Sequence, residues 1–394
     1  MNNNKFSEDT YEIVCPYCFK RYSNYKALFV DYRNTSEETY PEYEEYLRYF
    51  LGTESFGGRK MPLYFQKRQN DGIPGVFAAG TASGEVSYVR ACPHCCNLLP
   101  ALAGKVKTVS VVVTGSDDAE RSFYISSVLH RLNRDMLAGF GASFMPADLR
   151  TANLFYEQYE EPLYARGLVP EAAASIAPLV YEFGRQGAAE PEEWKGNAVT
   201  YNSALVYIYN IDRDLCERYP MIAYNAIARA DGFAVITDLA EAAPSDDPAY
   251  DPWLGYLTDT FRKVFGASPC DRPSALIMTK ADKVFGDDKK WAAVMKGDNA
   301  DRIEKAVPTP AFKARSDKAE AVFRTRIPAH YSAFSALFGS ETSLYFPERT
   351  FFEPNEDGTA SVNECRIPEA SFEWLLSKFF MLPENAAKSF TITL

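Results

Sequence analysis

Residues 109–132 constrain the fold of this chain most, because their hydrophobic pattern changes period within one short segment. The first part reads VSVVVT, a run of apolar and β-branched residues that is typical of a buried strand. Gly115 opens a tight turn, and the residues after it have the spacing of an amphipathic helix. A strand, a turn and a helix in this order predict one unit of a parallel sheet that is covered by helices.

The turn can be compared with the phosphate-binding pattern G-x-x-x-x-G-K-[ST], in which backbone N–H groups and a lysine hold phosphate oxygens. The eight residues here read GSDDAERS. The first glycine, Gly115, and the final hydroxyl, Ser122, are present, whereas Glu120 replaces the second glycine and Arg121 replaces the lysine. Arginine keeps the positive charge, but its planar fork is bulkier than an ammonium group.

Acidic residues add a charge argument against phosphate binding at this turn. Asp117, Asp118 and Glu120 lie in the stretch that would surround a polyanion. One like-charge contact at ~4 Å costs about 4 kcal/mol at an effective dielectric constant of ~20. The dipole at a helix N-terminus stabilises a negative charge by only about 0.3–2 kcal/mol. The sequence therefore predicts no tight binding of GTP or GDP with Mg²⁺ and assigns no catalytic residue.

Two C-P-x-C pairs precede this segment. They read CPYC and CPHC, and each is a short turn that directs two thiolates toward one point. Together they predict a closed, structural Zn²⁺ site with the ligands Cys15, Cys18, Cys92 and Cys95. His94 and Cys96 are not expected to be ligands, because four thiolates complete a tetrahedral site.

The cysteine pairs also set the predicted domain organisation. We expect a zinc ribbon in residues 1–104 with an insertion at about 23–88, followed by an α/β domain in residues 105–394. Within the insertion, Ser36–Gly52 is acidic and rich in tyrosine with helical spacing, and Met61–Val89 reads as short strands with turns at Asp71-Gly72 and Gly80. Tyrosine is favoured at protein interfaces, which makes this insertion a candidate interaction surface.

Beyond residue 105, apolar runs alternate with amphipathic segments, which predicts a mostly parallel sheet with helices on both faces. The expected strands are Thr108–Thr114, Ala204–Tyr209, Gly232–Thr237, Ser274–Met278 and Ala329–Phe334. The expected helices are Ser122–Met136, Arg213–Ala230, Pro252–Phe265 and Phe372–Phe380, with one or two more in the irregular stretch Phe285–Arg326.

Charge and composition narrow the function further. The net charge of −11 argues against general binding to nucleic acid or to anionic membranes, both of which favour basic surfaces. No apolar run is long enough to span a bilayer, and the first residues lack the pattern of a signal peptide. The scattered remaining cysteines do not form a disulfide framework. These features predict a cytoplasmic protein.

Two further motifs follow apolar runs. The segment SALIMTKAD ends in Thr279-Lys280-Ala281-Asp282, which matches the base-recognition pattern [NT]-K-x-D, and Ser335-Ala336 matches the start of an S-A-[KL] loop. A D-x-x-G motif would be expected after ALVYIY, but Asn210 and Arg213 occupy its aspartate and glycine positions. A shift of two places would put Asp212 in the aspartate role, with the glycine still missing.

In this order of signals the chain resembles a Ras-like P-loop GTPase domain preceded by a zinc ribbon. It is similar to bacterial double-GTPase and related GTPase-like proteins encoded in multi-protein conflict or defence loci. The resemblance implies that Asp282 accepts two hydrogen bonds from guanine, that Lys280 packs along the base, and that Ser335-Ala336 lies near the guanine carbonyl. It also implies phosphate-side roles for Gly115, Arg121 and Ser122. The threonine expected of the switch region is missing near Glu171–Ala174.

Three functions remain open from these observations. The leading one is a catalytically inactive GTPase-like scaffold or regulator in a multi-protein bacterial system, such as a defence system, with a protein partner that can itself be an active GTPase. The second is a divergent switch that binds guanine nucleotides. The third is a protein-interaction module built on the zinc ribbon.

Overall fold

The fold is described from a computed structural model. It covers residues 12–36, 40–51, 61–66, 77–81, 84–116, 118–132, 142–170, 177–185, 193–194, 198–199, 203–242, 244, 247, 251–286, 310–348, 350–355, 359–362 and 369–380. The turn predicted at Asp71-Gly72, the acidic residue Asp117 and the switch-region segment Glu171–Ala174 lie outside these residues.

In its described residues the N-terminal region contains short strands, a 3-10 turn at Asn24–Lys26 and an α-helix. Its elements are β1 (Ile13–Val14), β2 (Arg21–Tyr22), β3 (Leu28–Ser36), α1 (Pro41–Leu51), β4 (Met61–Gln66), β5 (Ala79–Gly80), β6 (Val86–Ser87) and β7 (Arg90–Ala91). β3 pairs antiparallel with β4 on one side and with β7 on the other. Because β7 precedes the second cysteine pair directly, the predicted insertion shares a sheet with the cysteine-bearing segments. The predicted tyrosine-rich helix is confirmed as α1.

The body contains a seven-stranded sheet. Its strands are β8 (Lys107–Gly115), β9 (Ala142–Pro146), β10 (Leu179–Arg185), β13 (Ser203–Ile211), β14 (Gly232–Asp238), β15 (Ser274–Thr279) and β16 (Ser343–Pro347). Short two-stranded pairs are β11 (Glu193–Trp194) with β12 (Ala198–Val199), and β17 (Phe352–Pro354) with β18 (Ala360–Val362).

The strand order across the sheet is β16-β15-β14-β8-β13-β10-β9. β13, β8, β14, β15 and β16 run parallel, whereas β10 is antiparallel to both of its neighbours. The predicted mixed α/β class with a mostly parallel sheet is confirmed. Chain order reverses at β8, which lies between β13 and β14, and open α/β sheets bind ligands at the carboxyl ends of strands at such a point.

The body helices are α2 (Asp118–Arg131), α3 (Leu149–Phe155), a π-helix (Tyr156–Ala165), α4 (Arg213–Arg218), α5 (Pro220–Arg229), α6 (Leu239–Ala242), α7 (Pro252–Phe265), α8 (Ala281–Phe285), α9 (Pro310–Arg326), α10 (Pro328–Leu337) and α11 (Glu369–Phe379). None of the helices in the described part of the chain has both the length and the apolarity that crossing a bilayer requires.

Two sequence predictions of secondary structure were wrong. The strand expected at Ala329–Phe334 is part of α10, whose first turn is fixed by Pro328, and the edge strand is β16 instead. The single helix expected at Arg213–Ala230 is divided into α4 and α5, because the chain leaves helical geometry at Tyr219 and Pro220 starts a new helix.

Hydrophobic residues pack on both faces of the sheet. One cluster contains Phe123 and Val128 of α2 and Leu375 of α11. The opposite cluster is larger, because it joins residues of α5, α7 and α10 to the cysteine-bearing segments in one continuous core. The N-terminal region therefore packs on one face of the body sheet.

Candidate functional site

The two cysteine pairs form turns of the same backbone shape. The carbonyls of Cys15 and Cys92 accept the N–H groups of Phe19 (3.0 Å) and Cys96 (2.8 Å), which follow the second cysteine of each pair. Phe19 and Cys96 both adopt the left-handed conformation, with φ of 59° and 53°. A non-glycine residue in this region is uncommon, so its recurrence after both cysteine pairs shows that the two turns share a specific backbone shape.

The turns bring four thiol sulfurs together. The distances between Sγ atoms are 3.6 Å for Cys15 and Cys95 and 3.6 Å for Cys18 and Cys92, and all four atoms lie within 4.8 Å of one another. A tetrahedral zinc with Zn–S bonds of ~2.3 Å has sulfurs about 3.8 Å apart. All four cysteines are buried, and the group can bind a metal ion such as zinc.

The neighbours of the cluster agree with a four-sulfur site. His94 is exposed and packs its ring edge on Tyr22, while its backbone N–H donates to the Sγ of Cys92 at 3.4 Å. Cys96 is buried outside the cluster. A closed set of four protein ligands is typical of a structural metal centre.

Tyrosines on β13 attach the first cysteine turn to the body sheet. The hydroxyl of Tyr209 donates to the carbonyl of Pro16 at 2.9 Å, and that of Tyr207 donates to the carbonyl of Val14 at 3.2 Å. The ring of Phe19 packs against Tyr209 with centroids 5.4 Å apart. Burial raises the pKa of Tyr209 well above its usual value, so this hydroxyl stays protonated and remains a donor.

The second candidate site lies at the carboxyl edge of the sheet, where β8 meets α2. Arg121 is fully buried there. Its guanidinium donates to the carbonyl of Gly115 at 3.0 Å and to Oδ1 of Asn210 at 2.6 Å, and it lies 3.4 Å from Oδ2 of Asp212. We call Arg121, Gly115, Asn210 and Asp212 the arginine cluster. The positive charge of Arg121, at the position compared above with the P-loop lysine, is thus bound to groups inside the protein.

A further buried residue, Tyr159 of the π-helix, supports the arginine cluster. The amide of Asn210 donates to the hydroxyl of Tyr159 at 3.1 Å, which fixes the side chain that holds Arg121. Burial raises the pKa of Tyr159, and the Asn210 hydrogen bond offsets part of this effect. Asn210, one partner of Arg121, therefore has a defined orientation.

A second group of charges lies beside the first. Lys280 follows β15 in a left-handed conformation, with φ of 54°, and its ammonium contacts the carboxylate of Asp238 and lies 3.7 Å from that of Glu120. Asp238 also accepts the backbone N–H of Ala240 at 2.8 Å. We call Lys280, Asp238 and Glu120 the lysine cluster. Glu120 has no exposed surface, so the acid at the second glycine position is an internal partner of Lys280.

Taken together, the two clusters place the side chains of two cations and three acids at this edge. The acids are Asp212, Asp238 and Glu120, each at most 2% exposed. Both cations are already balanced by protein carboxylates. An added phosphate would have to separate these pairs, and breaking a buried pair leaves an uncompensated charge in the interior.

The residues compared with the base-recognition motifs do not all have the predicted structure. Thr279, Lys280 and Asp282 follow one another at the end of β15, whereas Ser335 and Ala336 lie in a helix. Thr279 ends β15, and its hydroxyl donates to the carbonyl of Thr237 at 3.3 Å. Asp282 is half-buried, and its Oδ1 accepts the backbone N–H of Thr350 at 2.7 Å and the Thr350 hydroxyl at 3.1 Å. Ser122 is buried within α2.

Ser335 and Ala336 do not form the predicted loop, because both lie inside α10. The segment that contacts Asp282 is instead the one after β16, which contains Glu348 and Thr350. Sequence reasoning missed Thr350 because it placed the last strand at the position of α10, and no motif marks this threonine.

No protein-family model matches the chain. A stretch of 133 residues is 27% identical to the Mycolicibacterium smegmatis protein named "Putative ESX-1 scaffolding and assembly protein SaeC". The match covers 31% of this chain and 34% of that relative, so the chain spans about a third of the relative's length. Neither comparison supports the resemblance to GTPase-like proteins.

Proposed function

We propose that this chain is a catalytically inactive GTPase-like protein that acts as a scaffold or regulatory partner in a multi-protein bacterial system. The observation that carries the proposal is the buried Arg121, whose guanidinium is already held by Gly115, Asn210 and Asp212. A P-loop uses its cation to stabilise phosphate charge. Here the corresponding cation stabilises the fold.

The arrangement of the sheet favours a GTPase-like ancestry. The segments compared with the phosphate loop, the D-x-x-G motif and the T-K-x-D motif follow β8, β13 and β15, and these parallel strands end at the same edge. This is the edge at which chain order reverses and nucleotides bind in open α/β sheets. All three segments therefore lie at the edge where a nucleotide would bind. This shared location supports the proposal even though each motif alone is weak.

The scaffold part rests on two observations. The relative from Mycolicibacterium smegmatis carries a name that describes scaffolding and assembly, and its similarity makes a protein-binding role the leading alternative to catalysis. The four cysteines would hold a structural zinc, which stabilises the N-terminal region and performs no reaction. A protein partner, including an active GTPase, would then bind this rigid surface in the cytoplasm.

Calorimetric titration of the metal-loaded full chain with GTP and GDP in the presence of Mg²⁺ tests the proposal. We expect no saturable heat at ligand concentrations of about 100 μM, the range in which a micromolar site would be filled. Phosphate release should equal that of the buffer. Micromolar binding or measurable hydrolysis would contradict the inactive assignment.

A divergent guanine-nucleotide switch is the second candidate, and the partly exposed Asp282 favours it. If nucleotide binds, Asp282→Ala should weaken it by roughly tenfold or more, equivalent to about 1.4 kcal/mol. Asp271→Ala is the matched control, because Asp271 is exposed at the opposite end of β15. Equal effects of the two variants would argue against base recognition by Asp282.

A further inference from the structure

A cavity of about 90 Å³ lies where the N-terminal region packs on the body. One wall comes from the first cysteine turn and α1, including Tyr17 and Tyr46, and the other comes from α5 and the residues before β10, including Ile222 and Ala177. Most of the lining is apolar or aromatic. Arg150, at the start of α3, supplies the charge among the described residues that line it.

Arg150 differs from Arg166 and Arg213 in having no carboxylate partner among the described residues. Its guanidinium lies 4.7 Å from the centre of the Tyr17 ring, which holds it at the cavity while leaving the side chain exposed. Within the part of the chain that the structure describes, Arg150 forms no ion pair, whereas Arg166 pairs with Glu161 and Arg213 with Glu217. An arginine positioned by an aromatic ring and without a carboxylate partner is ready to bind an external anion.

We propose that this cavity binds a carboxylate group, presented by a small organic acid or by the C-terminus of a polypeptide. The guanidinium fork matches a carboxylate through two parallel hydrogen bonds. The cavity of about 90 Å³ is well above the ~10–15 Å³ that holds a single water, so it has room for a carboxylate with a short apolar tail. Phosphate fits less well, because apolar walls offer a dianion few additional donors.

An acidic residue, Asp148, lies close to Arg150 in the sequence. Asp148 precedes Arg150 by two residues, and its Oδ1 accepts the N–H of Thr151 at 2.7 Å as the N-cap of α3. Its carboxylate is therefore held by the helix, and its negative charge opposes an incoming anion. This placement gives a variant that should improve binding.

The test is a saturation-transfer NMR titration of the metal-loaded full chain with sodium propionate. We expect saturable binding that Arg150→Gln weakens by roughly tenfold or more. Arg166→Gln is the matched control, because it removes an exposed arginine that is already paired, and it should leave the affinity unchanged.

Two further variants distinguish the contribution of the cavity volume from that of the local charge. Ala177→Leu fills the cavity without removing the guanidinium, and it should abolish binding. Asp148→Asn removes the opposing charge but keeps the cap, since asparagine and aspartate are similar N-cap residues, and it should tighten binding several-fold. Circular dichroism confirms that each variant is folded before its titration is interpreted.

The source of the carboxylate is resolved by peptides. The probe is an acetylated Gly-Gly-Ala peptide with a free C-terminus, and its amidated form is the control. If the free peptide binds roughly tenfold more tightly than propionate and the amidated form does not bind, the natural ligand is a polypeptide C-terminus. Equal affinities identify a small acid. The proposal is overturned if no saturable signal appears at about 50 mM propionate, if Arg150→Gln and Arg166→Gln act alike, or if Ala177→Leu still binds.

Discussion

Replacement of Arg121 by methionine tests whether the positive charge beside Gly115 is committed to the fold. Methionine keeps much of the side-chain length but removes the guanidinium. The variant leaves the carboxylate of Asp212, which is 2% exposed, without its cation, and it also removes donors to Gly115 and Asn210. Removing one partner of a buried ion pair costs about 3–5 kcal/mol. We therefore expect the free energy of unfolding to fall by about 4 kcal/mol, out of a typical total of about 5–15 kcal/mol.

The assay is equilibrium unfolding in urea, followed by circular dichroism with the metal site saturated. The control is Arg213→Met, because the pair of Arg213 with Glu217 is exposed and one helical turn apart, and its loss should cost about 0.5 kcal/mol or less. The double variant Arg121→Met with Asp212→Leu should cost less than the sum of the single variants by about 1 kcal/mol or more.

Two results would refute the reasoning. One is an Arg121→Met variant within about 1 kcal/mol of the parent protein, since the guanidinium would then contribute little to the fold. The other is strict additivity of the two single variants, which would mean that Arg121 and Asp212 do not interact across their 3.4 Å separation. Either result would reopen the loop as a phosphate site.

Three further outcomes are expected. Cys15→Ser should reduce bound zinc, measured by mass spectrometry of the metal, and lower the melting temperature of the whole chain; full metal content would contradict a four-sulfur site. Tyr209→Phe should cost about 1–3 kcal/mol in urea unfolding, because the buried carbonyl of Pro16 loses its donor, and an unchanged midpoint would argue against this contact. Gly104→Ala should cost more than Gly84→Ala, because both have positive φ but only at Gly104 would the new Cβ lie 2.1 Å from a buried asparagine; equal midpoints would contradict this packing.

The sequence predicts most of the sheet because each central strand is an uninterrupted apolar run. β8, β13, β14 and β15 were all located within two residues of their ends, since burial on both faces leaves a strong compositional signal. The edge strand β16 carries SLYFP, a short run that propensity alone does not separate from a helix or a loop. The segment of α10 was misread for the same reason, since its alanines, serines and aromatics also fit a strand.

The candidate sites were predictable to different extents. The cysteine spacing predicted the buried four-cysteine cluster directly, because each pair is local and the four side chains share one chemistry. The motif comparison singled out Arg121 and Glu120, but it did not predict which residues they contact. Their partners Asp212 and Asp238 lie at the carboxyl ends of other strands, so the pairing depends on strand order, which no local pattern records.

The shared turn geometry at Cys15–Cys18 and Cys92–Cys95 has a consequence for how this protein can diversify. Cys18 and Cys92 are 74 positions apart, yet one ion would fix both ends of the polypeptide between them. Lengthening a closed loop is entropically inexpensive, at about 0.6 kcal/mol for each doubling of its length. The residues between Cys18 and Cys92 can therefore be lengthened or replaced, provided that the strand leading into Cys92 keeps its pairing. The two cysteine turns would keep their position on the body sheet.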